Sequence, residues 1–537
     1  MKKLVSAIFN ITTFALILHP SNLLAQSGTL DQAFGENGMV TINTTEPYDL
    51  LVQPDLKIVI ATNEELWRLN ENGTLDYTFG DNGRITLEIE NNYYINDISN
   101  ATENKILITG GISGQTSGDL FLSRMNEDGT MDNNFGENGT MIYGYRPQTF
   151  EAGIKAIELS DGSILVGGNI SNMHLYIDNF FPIFLMKFKS DGSVDTSFGE
   201  QGILFQDVNG SGIEANDMEL QKDGKIMIAG NTLVESGWDF SFLRLNPDGT
   251  RDTTFGTNGS VILDMMLPND SARYSSTEDW AYDIELQSDG KLVALGRKFY
   301  VTEQQFISWL DNMVYDTYEL VITRLNHDGS QDLNFGENGI VEGAIHFSGR
   351  YHYYYSLQID PDDRILVGHP SKFGNTDMDF VLSRYSKEGK RDESFGFRGS
   401  ARINYPGSEA IKNIQLVDGY LYAAGSLDSY GDPDGEDGLR IAKYSTDGIP
   451  LSLDNEIENS KSIDIYPNPM KEGLNITFKS MPERAHVTIF DISGIKKIDQ
   501  FFYQKQNIFI QIDILPPGLY YLHIDYDDHT YTGKVVK

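Results

Sequence analysis

Carboxylates are the chemistry-bearing groups this chain holds in excess: 78 Asp and Glu stand against 41 Lys and Arg, a net charge of -37 over 537 residues. A pair of carboxyl groups about 5 to 10 Å apart can cleave a glycosidic bond, one as acid and the other as nucleophile or base. No spacing singles out such a pair, so that chemistry stays an alternative and no residue is assigned a catalytic role. The nine histidines (His19, His174, His327, His346, His352, His369, His486, His523 and His529) never take the HExxH spacing, and they read as surface or strand residues. The chain has no GxSxG elbow, phosphate loop or dinucleotide fingerprint. With no cysteine, disulfides, thiolate nucleophiles and cysteine-held zinc are excluded together.

Two further patterns bear on binding. The stretch "LDSYGDPDGEDG" gathers Asp428, Asp432, Asp434 and Asp437 among glycines. Hard oxygen ligands in a tightly wrapping loop suit Ca²⁺, although the loop lacks the bidentate Glu of a full calcium motif and also reads as a solvated acidic loop. Aromatic residues crowd the long insertions: Tyr176, Phe180, Trp280, Tyr300, Trp309, Tyr315 and Tyr318. Of these, Tyr176, Trp280, Tyr300, Trp309 and Tyr315 are the candidate ligand contacts, against the plainer reading that they pack their own loops. The strongly negative field argues against nucleic acid and anionic membrane surfaces as partners.

The elements that must position these residues are set by a repeat. A Phe-Gly pair recurs at Phe34, Phe79, Phe135, Phe198, Phe255, Phe335 and Phe395, every 45 to 80 residues and about 60 on average. The body between copies is clearest in "ANDMELQKDGKIMIAG" followed by "DFSFLRLNPDGTRDTTFG". Alternating runs separated by Gly turns give four short strands per repeat and no helix. Such units arranged about an axis predict an all-β fold, a seven-bladed β-propeller. Eight residues before each motif aspartate stands a cation: Arg68 and Asp76, Arg124 and Asp132, Lys187 and Asp195, Arg244 and Asp252, Arg324 and Asp332, Arg384 and Asp392. A constellation present in every unit is structural: a turn aspartate taking backbone N–H groups and paired with the cation, beside a Phe wedged between sheets. The long insertions fall in the second-to-third-strand and unit-to-unit loops, which share one face; that variable face is the candidate binding face.

The phrase "GxxDxxFGxxG" with the body "DGKIxxxG" resembles the delta-60 repeat of large exported bacterial proteins, over roughly residues 28–451. That resemblance implies a propeller-like scaffold and no catalytic residues. At the N-terminus, Lys2 and Lys3 precede an apolar run ending near Leu18, with a small residue at Ala25, the layout of a signal peptide over residues 1–25. No later stretch is long and apolar enough to span a bilayer. After an acidic linker, 452–462, the segments "YPNP", "FDISG", "LPPGLYYL" and "KVVK" within 463–537 read as a small antiparallel β-sandwich. They resemble the type A C-terminal sorting domain of the type IX secretion system of Bacteroidota. The resemblance implies that the secretion machinery is a partner and that the protein is secreted or displayed at the outer-membrane surface.

Motif and body are out of phase. Lys443 has no aspartate eight residues on, and Asp31, in the opening phrase "GTLDQAFGENGMV", has no cation eight residues before it. The two defects complement each other and predict that Met39 to Ile42 closes the ring beside Leu439 to Tyr444. The functional reading is a secreted or surface binding protein for a glycan or another surface protein. The alternatives are a polysaccharide-active hydrolase or lyase using carboxylates on the variable face, and a purely structural surface protein.

Overall fold

Period-two alternation cut by Gly turns gives strands rather than helices. The computed structural model describes residues 27–114, 117–172, 182–235, 237–265, 273–274, 277–302, 317–343, 355–372, 378–403, 408–428, 438–446, 463–466, 473–491, 496–512, 515–516, 519–526 and 529–537. It divides into two compact units, Met1–Pro450 and Leu451–Lys537. In the first, the strands fall into seven consecutive antiparallel sets of four, two of them joined edge to edge by a short parallel pairing at Phe150 and Gly118 and three carrying a short additional strand, a propeller-like all-β architecture. The first consists of Pro47–Val52, Ile58–Thr62, Glu65–Leu69 and Arg84–Thr86. The inner strands of the next five are Asn92–Asn100, Thr149–Glu158, Glu214–Leu220, Trp280–Leu286 and Ser356–Ile359. The seventh sheet begins with Ser408–Val417, and its outer strand comes from the other end of the chain.

Each sheet is tied to the next by the repeat motif. The Arg68, Arg124, Arg244 and Arg384 Nε atoms each lie 2.8 Å from the motif aspartate eight residues on, and Arg324 Nη2 lies 2.8 Å from Asp332. The guanidinium also covers the motif Phe, 4.3 Å from the Phe79 ring centre and 4.8 Å from that of Phe395. Its remaining N–H groups reach the following sheet: Arg124 donates to the Ser190 carbonyl at 2.7 Å and Arg244 to that of His327 at 2.6 Å. The third sheet departs from the expected pairing, because Lys187 faces Asp161 at 3.7 Å rather than Asp195. An ammonium has no planar fork with which to hold aspartate, ring and neighbouring turn at once. Asp195 keeps its turn role, accepting the Ser197 N–H at 3.1 Å and its hydroxyl at 2.6 Å.

The motif phenylalanines are buried plugs, from 0 to 6 % exposed. Phe255 lies under the turn of the following sheet, where a Cβ on Gly329 would come within 3.1 Å of its ring. The adjoining Gly256 has φ +52°, and a Cβ there would fall 2.2 Å from the Ser260 carbonyl oxygen, so no other residue fits.

The opening phrase does close the ring. Met39–Ile42 pairs antiparallel with the seventh sheet's third strand: Met39 opposite Ala442, Val40 opposite Ile441, Thr41 opposite Arg440, Ile42 opposite Leu439. Gly28 donates to the Ser445 carbonyl at 2.7 Å and Asp31 to that of Lys443 at 2.8 Å, the bonds that Gly73 to Asn70 and Asp76 to Arg68 make within one chain segment. The absent pair is completed across the seam, Lys443 Nζ lying 3.2 Å from Asp31 Oδ2. Leu50, Val52, Ile58 and Ile60 of the first sheet share one core with Tyr422, Ala424, Leu439 and Ile441 of the seventh, with Phe34 among them.

In Leu451–Lys537 a three-stranded sheet, Ile463–Tyr466, Gly473–Phe478 and Asn507–Gln511, accompanies a four-stranded one. The latter runs Lys496–Tyr503, Arg484–Asp491, Leu519–Tyr526, His529–Val536. The inward residues of both, from Leu474 and Ile476 to Val487, Ile489 and Leu522, form one buried core, a β-sandwich.

Truncating one plug exposes the energetics of the repeat. Phe255→Ala should destabilise the protein by about 3–5 kcal/mol, read as a shift in denaturation midpoint; a near-neutral result would remove the plug from the account.

Candidate binding face and central channel

The inner strand of a propeller blade is an edge strand, so its outward N–H groups need partners. On most inner strands here a register irregularity supplies one by turning a polar side chain toward the neighbouring blade: the pairing shifts between Pro47 and Asp49, Ile95 and Asp97, Gly153 and Lys155, Ala215 and Asp217, Ala281 and Asp283, and Ile411 and Asn413. Asp49 accepts the Ile98 N–H at 2.7 Å, Asp97 that of Ala156 at 3.0 Å, Asp217 that of Ile284 at 3.0 Å and Asp283 that of Leu357 at 2.7 Å. Ser356 Oγ accepts from Ile414 at 3.2 Å, and Asn413 donates back to Asp49 at 2.7 Å. The third sheet contributes Lys155 instead, whose ammonium lies 2.9 Å from Asp217 and 2.6 Å from Glu219. The chain of contacts passes through every blade and returns to its start.

Two residues further along, a second tier begins: Gln358 donates to Glu285 at 2.7 Å and accepts from Leu416 at 3.2 Å. Electrostatics in this girdle are tight. Burial pushes Asp49 up to about 6 and Glu285 up to about 8, and lifts Asp97 and Asp283 well above the usual carboxylate range, with neighbouring acids adding to it. For Lys155, burial works against the charge, but Asp217, Glu219 and Asp97 overcome it and raise its pKa.

On the face carrying the long insertions, the chain brings together aromatic residues from three sheets. Half-buried Trp280 lies 5.7 Å from Trp238 at a tilt of 42°, and the Arg297 guanidinium sits 5.5 Å from the Trp280 ring and 5.8 Å from that of Tyr282. Tyr282 in turn stacks on Tyr355 at 5.3 Å. Of the candidate contacts named from sequence, Trp280 is therefore in this cluster, packed as well as presented. Tyr300 falls on the strand Leu292–Thr302 and Asp428 on Tyr420–Asp428, but their side chains lie outside the described residues. Tyr176, Trp309, Tyr315, Asp432, Asp434 and Asp437 lie outside them altogether, as do Phe180 and residues 1–26. Trp238, Tyr282 and Tyr355 escaped the sequence reading because they sit within or beside regular strands, and Arg297 because, at the root of the fifth insertion, it carries no aromatic ring. The girdle was missed too, although a polar residue six before the first hairpin turn recurs visibly: Asp49 and Asp55, Lys155 and Asp161, Asp217 and Asp223, Asp283 and Asp289.

Comparison with known proteins agrees with both halves of this architecture. Residues 464–537 match the secretion system C-terminal sorting domain. Residues 53–79, 104–135, 159–198 and 221–255 match a β-propeller domain of unknown function, DUF5122. No curated protein matches the chain. Among solved structures it is similar to the polysaccharide lyase Uly1, at 10 % identity and a TM-score of 0.45 over 79 % of this chain and 97 % of that one. It is also similar to Drosophila Semaphorin 2a, at 8 % identity and a TM-score of 0.41 over 93 % of this chain and 97 % of that one. A third likeness is to the Nup133 β-propeller domain of Vanderwaltozyma polyspora, at 11 % identity and a TM-score of 0.39 over 75 % and 97 %. Among the described residues no helix is long and apolar enough to cross a membrane. The chain is thus a β-propeller carrying a type IX secretion sorting tail, which implies a secreted or cell-surface protein.

The girdle makes a pH-dependent prediction. A carboxyl whose folded pKa is raised stabilises the fold fully below its ordinary value near 4; that contribution is lost as pH rises, through about 6 for Asp49 and about 8 for Glu285. Lys155 offsets this loss by neutralising its neighbours. Lys155→Met should therefore cost about 3 kcal/mol at pH 7 and much less at pH 4, measured by denaturant titration at both; an equal cost at both pH values would contradict the charge-neutralising role.

Proposed function

We propose that this protein is an exported propeller that binds a glycan through its variable face. The type IX machinery engages the C-terminal domain, and the propeller is then released or held at the cell surface. The observation that supports binding is the Trp238, Trp280, Tyr282 and Tyr355 cluster around Arg297, at the end of the inner strands where the insertions emerge. The half-buried Trp238, Trp280 and Tyr282 offer ring area for stacking on a sugar, held in place from beneath by the buried Arg297 and Tyr355. The opposite face is occupied by the Phe-Gly turns and their ion pairs.

A second reading, a polysaccharide-active enzyme, draws support from one feature: burial, with Glu219 adding to it, pushes Glu285 up to about 8, the direction that suits a carboxyl acting as a general acid. Against it, Glu285 is engaged by Gln358 and Glu219 by Lys155, so both already serve the girdle.

A glycan-array screen of the mature chain should return a defined glycan class whose affinity falls about tenfold or more in Trp280→Ala. Retention of full affinity would remove the cluster from the site, and cleavage of the bound glycan that is lost in Glu285→Gln would favour the enzyme. Deleting Ile463–Lys537 should hold the propeller in the periplasm, and undiminished export would contradict the route.

A further inference from the structure

Three aspartates meet where the longest unit-to-unit connection leaves and re-enters the fold. Asp239 opens the third strand of the fourth sheet, within Gly237–Leu245; Asp264 follows the outer strand Ser260–Leu263; Asp279 precedes Trp280–Leu286 of the fifth sheet. The returning chain is pinned there: Thr277–Glu278 pairs parallel with Gly237 and Trp238, the Asp279 N–H donates to the Trp238 carbonyl at 2.7 Å, and Asp279 Oδ2 accepts the Met265 N–H at 2.8 Å. Each aspartate offers a carboxylate oxygen, and these oxygens all lie within 4.8 Å of one another. Asp239 is 5 % exposed and Asp279 0 %, yet Oδ1 of each has no hydrogen-bond partner. Asp264 is exposed and opens the group to solvent.

Buried carboxylate oxygens without partners are costly unless something neutralises them. Elsewhere in this fold a cation does so. The acid five residues before the motif arginine, the place of Asp239, is Glu319 in the fifth sheet, 3.5 Å from Lys298, and Asp379 in the sixth, 2.5 Å from Arg402. The fourth sheet brings two more acids to that place, and Lys298, whose charge reaches Asp279, makes its direct pairs with Glu319 and Glu342. Three carboxylates, two of them sealed from water, with one open side, are the ligand set of a hard divalent ion. Ca²⁺ binds oxygens at about 2.3–2.6 Å, so oxygens on one ion stand up to about 5 Å apart, which the trio already satisfies. We propose that Asp239, Asp264 and Asp279 form a Ca²⁺ site on the variable face, completed by water on the exposed side. The ion ties the root of the connection to two sheets. It also sets Trp238 and Trp280, the chain neighbours of Asp239 and Asp279, in their paired arrangement.

The neighbouring tryptophans supply the test. Tb³⁺ added to metal-stripped full-length mature protein should give luminescence on tryptophan excitation, and Ca²⁺ should quench it by competition. Asp264→Asn, at an exposed position that leaves the fold intact, should raise the half-saturating Tb³⁺ concentration about tenfold or more. Asp432→Asn combined with Asp434→Asn should leave it unchanged. Absence of sensitised luminescence, an unchanged titration in Asp264→Asn, or loss of the signal only in the Asp432 and Asp434 double variant would each overturn the proposal.

Discussion

Every blade here leaves polar groups that only its neighbour can satisfy, and the stability of the ring depends on that exchange. At the periphery an arginine holds its own turn aspartate, covers its own phenylalanine and spends its last N–H groups on a carbonyl of the following blade. Around the channel an acidic side chain receives an N–H from the next inner strand. A charge-assisted bond with a buried guanidinium or carboxylate is strong when complete and costly when one partner is missing. A ring of such bonds is therefore most vulnerable at its seam, which explains why the seam is built from both ends of the propeller and not from consecutive contacts alone.

Much of the periphery was legible in the sequence because its partners are close in the chain. An eight-residue offset between cation and aspartate, with a Phe three residues further on, can be read off a strand and a turn; the pairing fails only at Lys187, which turns to Asp161 instead. The seam was legible for the complementary reason: Asp31 and Lys443 were each conspicuous for lacking a partner at that offset, and they are each other's partner at 3.2 Å. The girdle was not read, because its side chains turn toward the neighbouring blade by virtue of register shifts that period-two alternation does not encode. Asp239, Asp264 and Asp279 are spread over 40 residues and meet through the pairing of Phe240 with Leu263 and the strand added at Thr277–Glu278. Trp280 was found from composition; the residues that surround it lie on strands and came to light only in three dimensions.

The division of labour between faces follows. One face is occupied by turns whose Gly, Phe and Asp recur in each blade beside an Arg or Lys, so it can carry little that is specific. The other, free of that constraint, collects long connections, exposed acids and an aromatic cluster beside a buried arginine, which is where a scaffold places recognition. The sorting tail implies a secreted or cell-surface protein.

The central claim, that Ser27 to Ile42 is the outer edge of the last blade, is open to a direct covalent test, since the chain contains no cysteine of its own. Val40→Cys combined with Ile441→Cys places two thiols at facing positions of adjacent strands. Mild oxidation of the folded protein should link residues 40 and 441, identified by mass spectrometry of the digest, and should raise the unfolding temperature. Failure to form that link in folded protein, or linkage of Cys-substituted Val40 to a cysteine placed instead at Leu51, would contradict the closure.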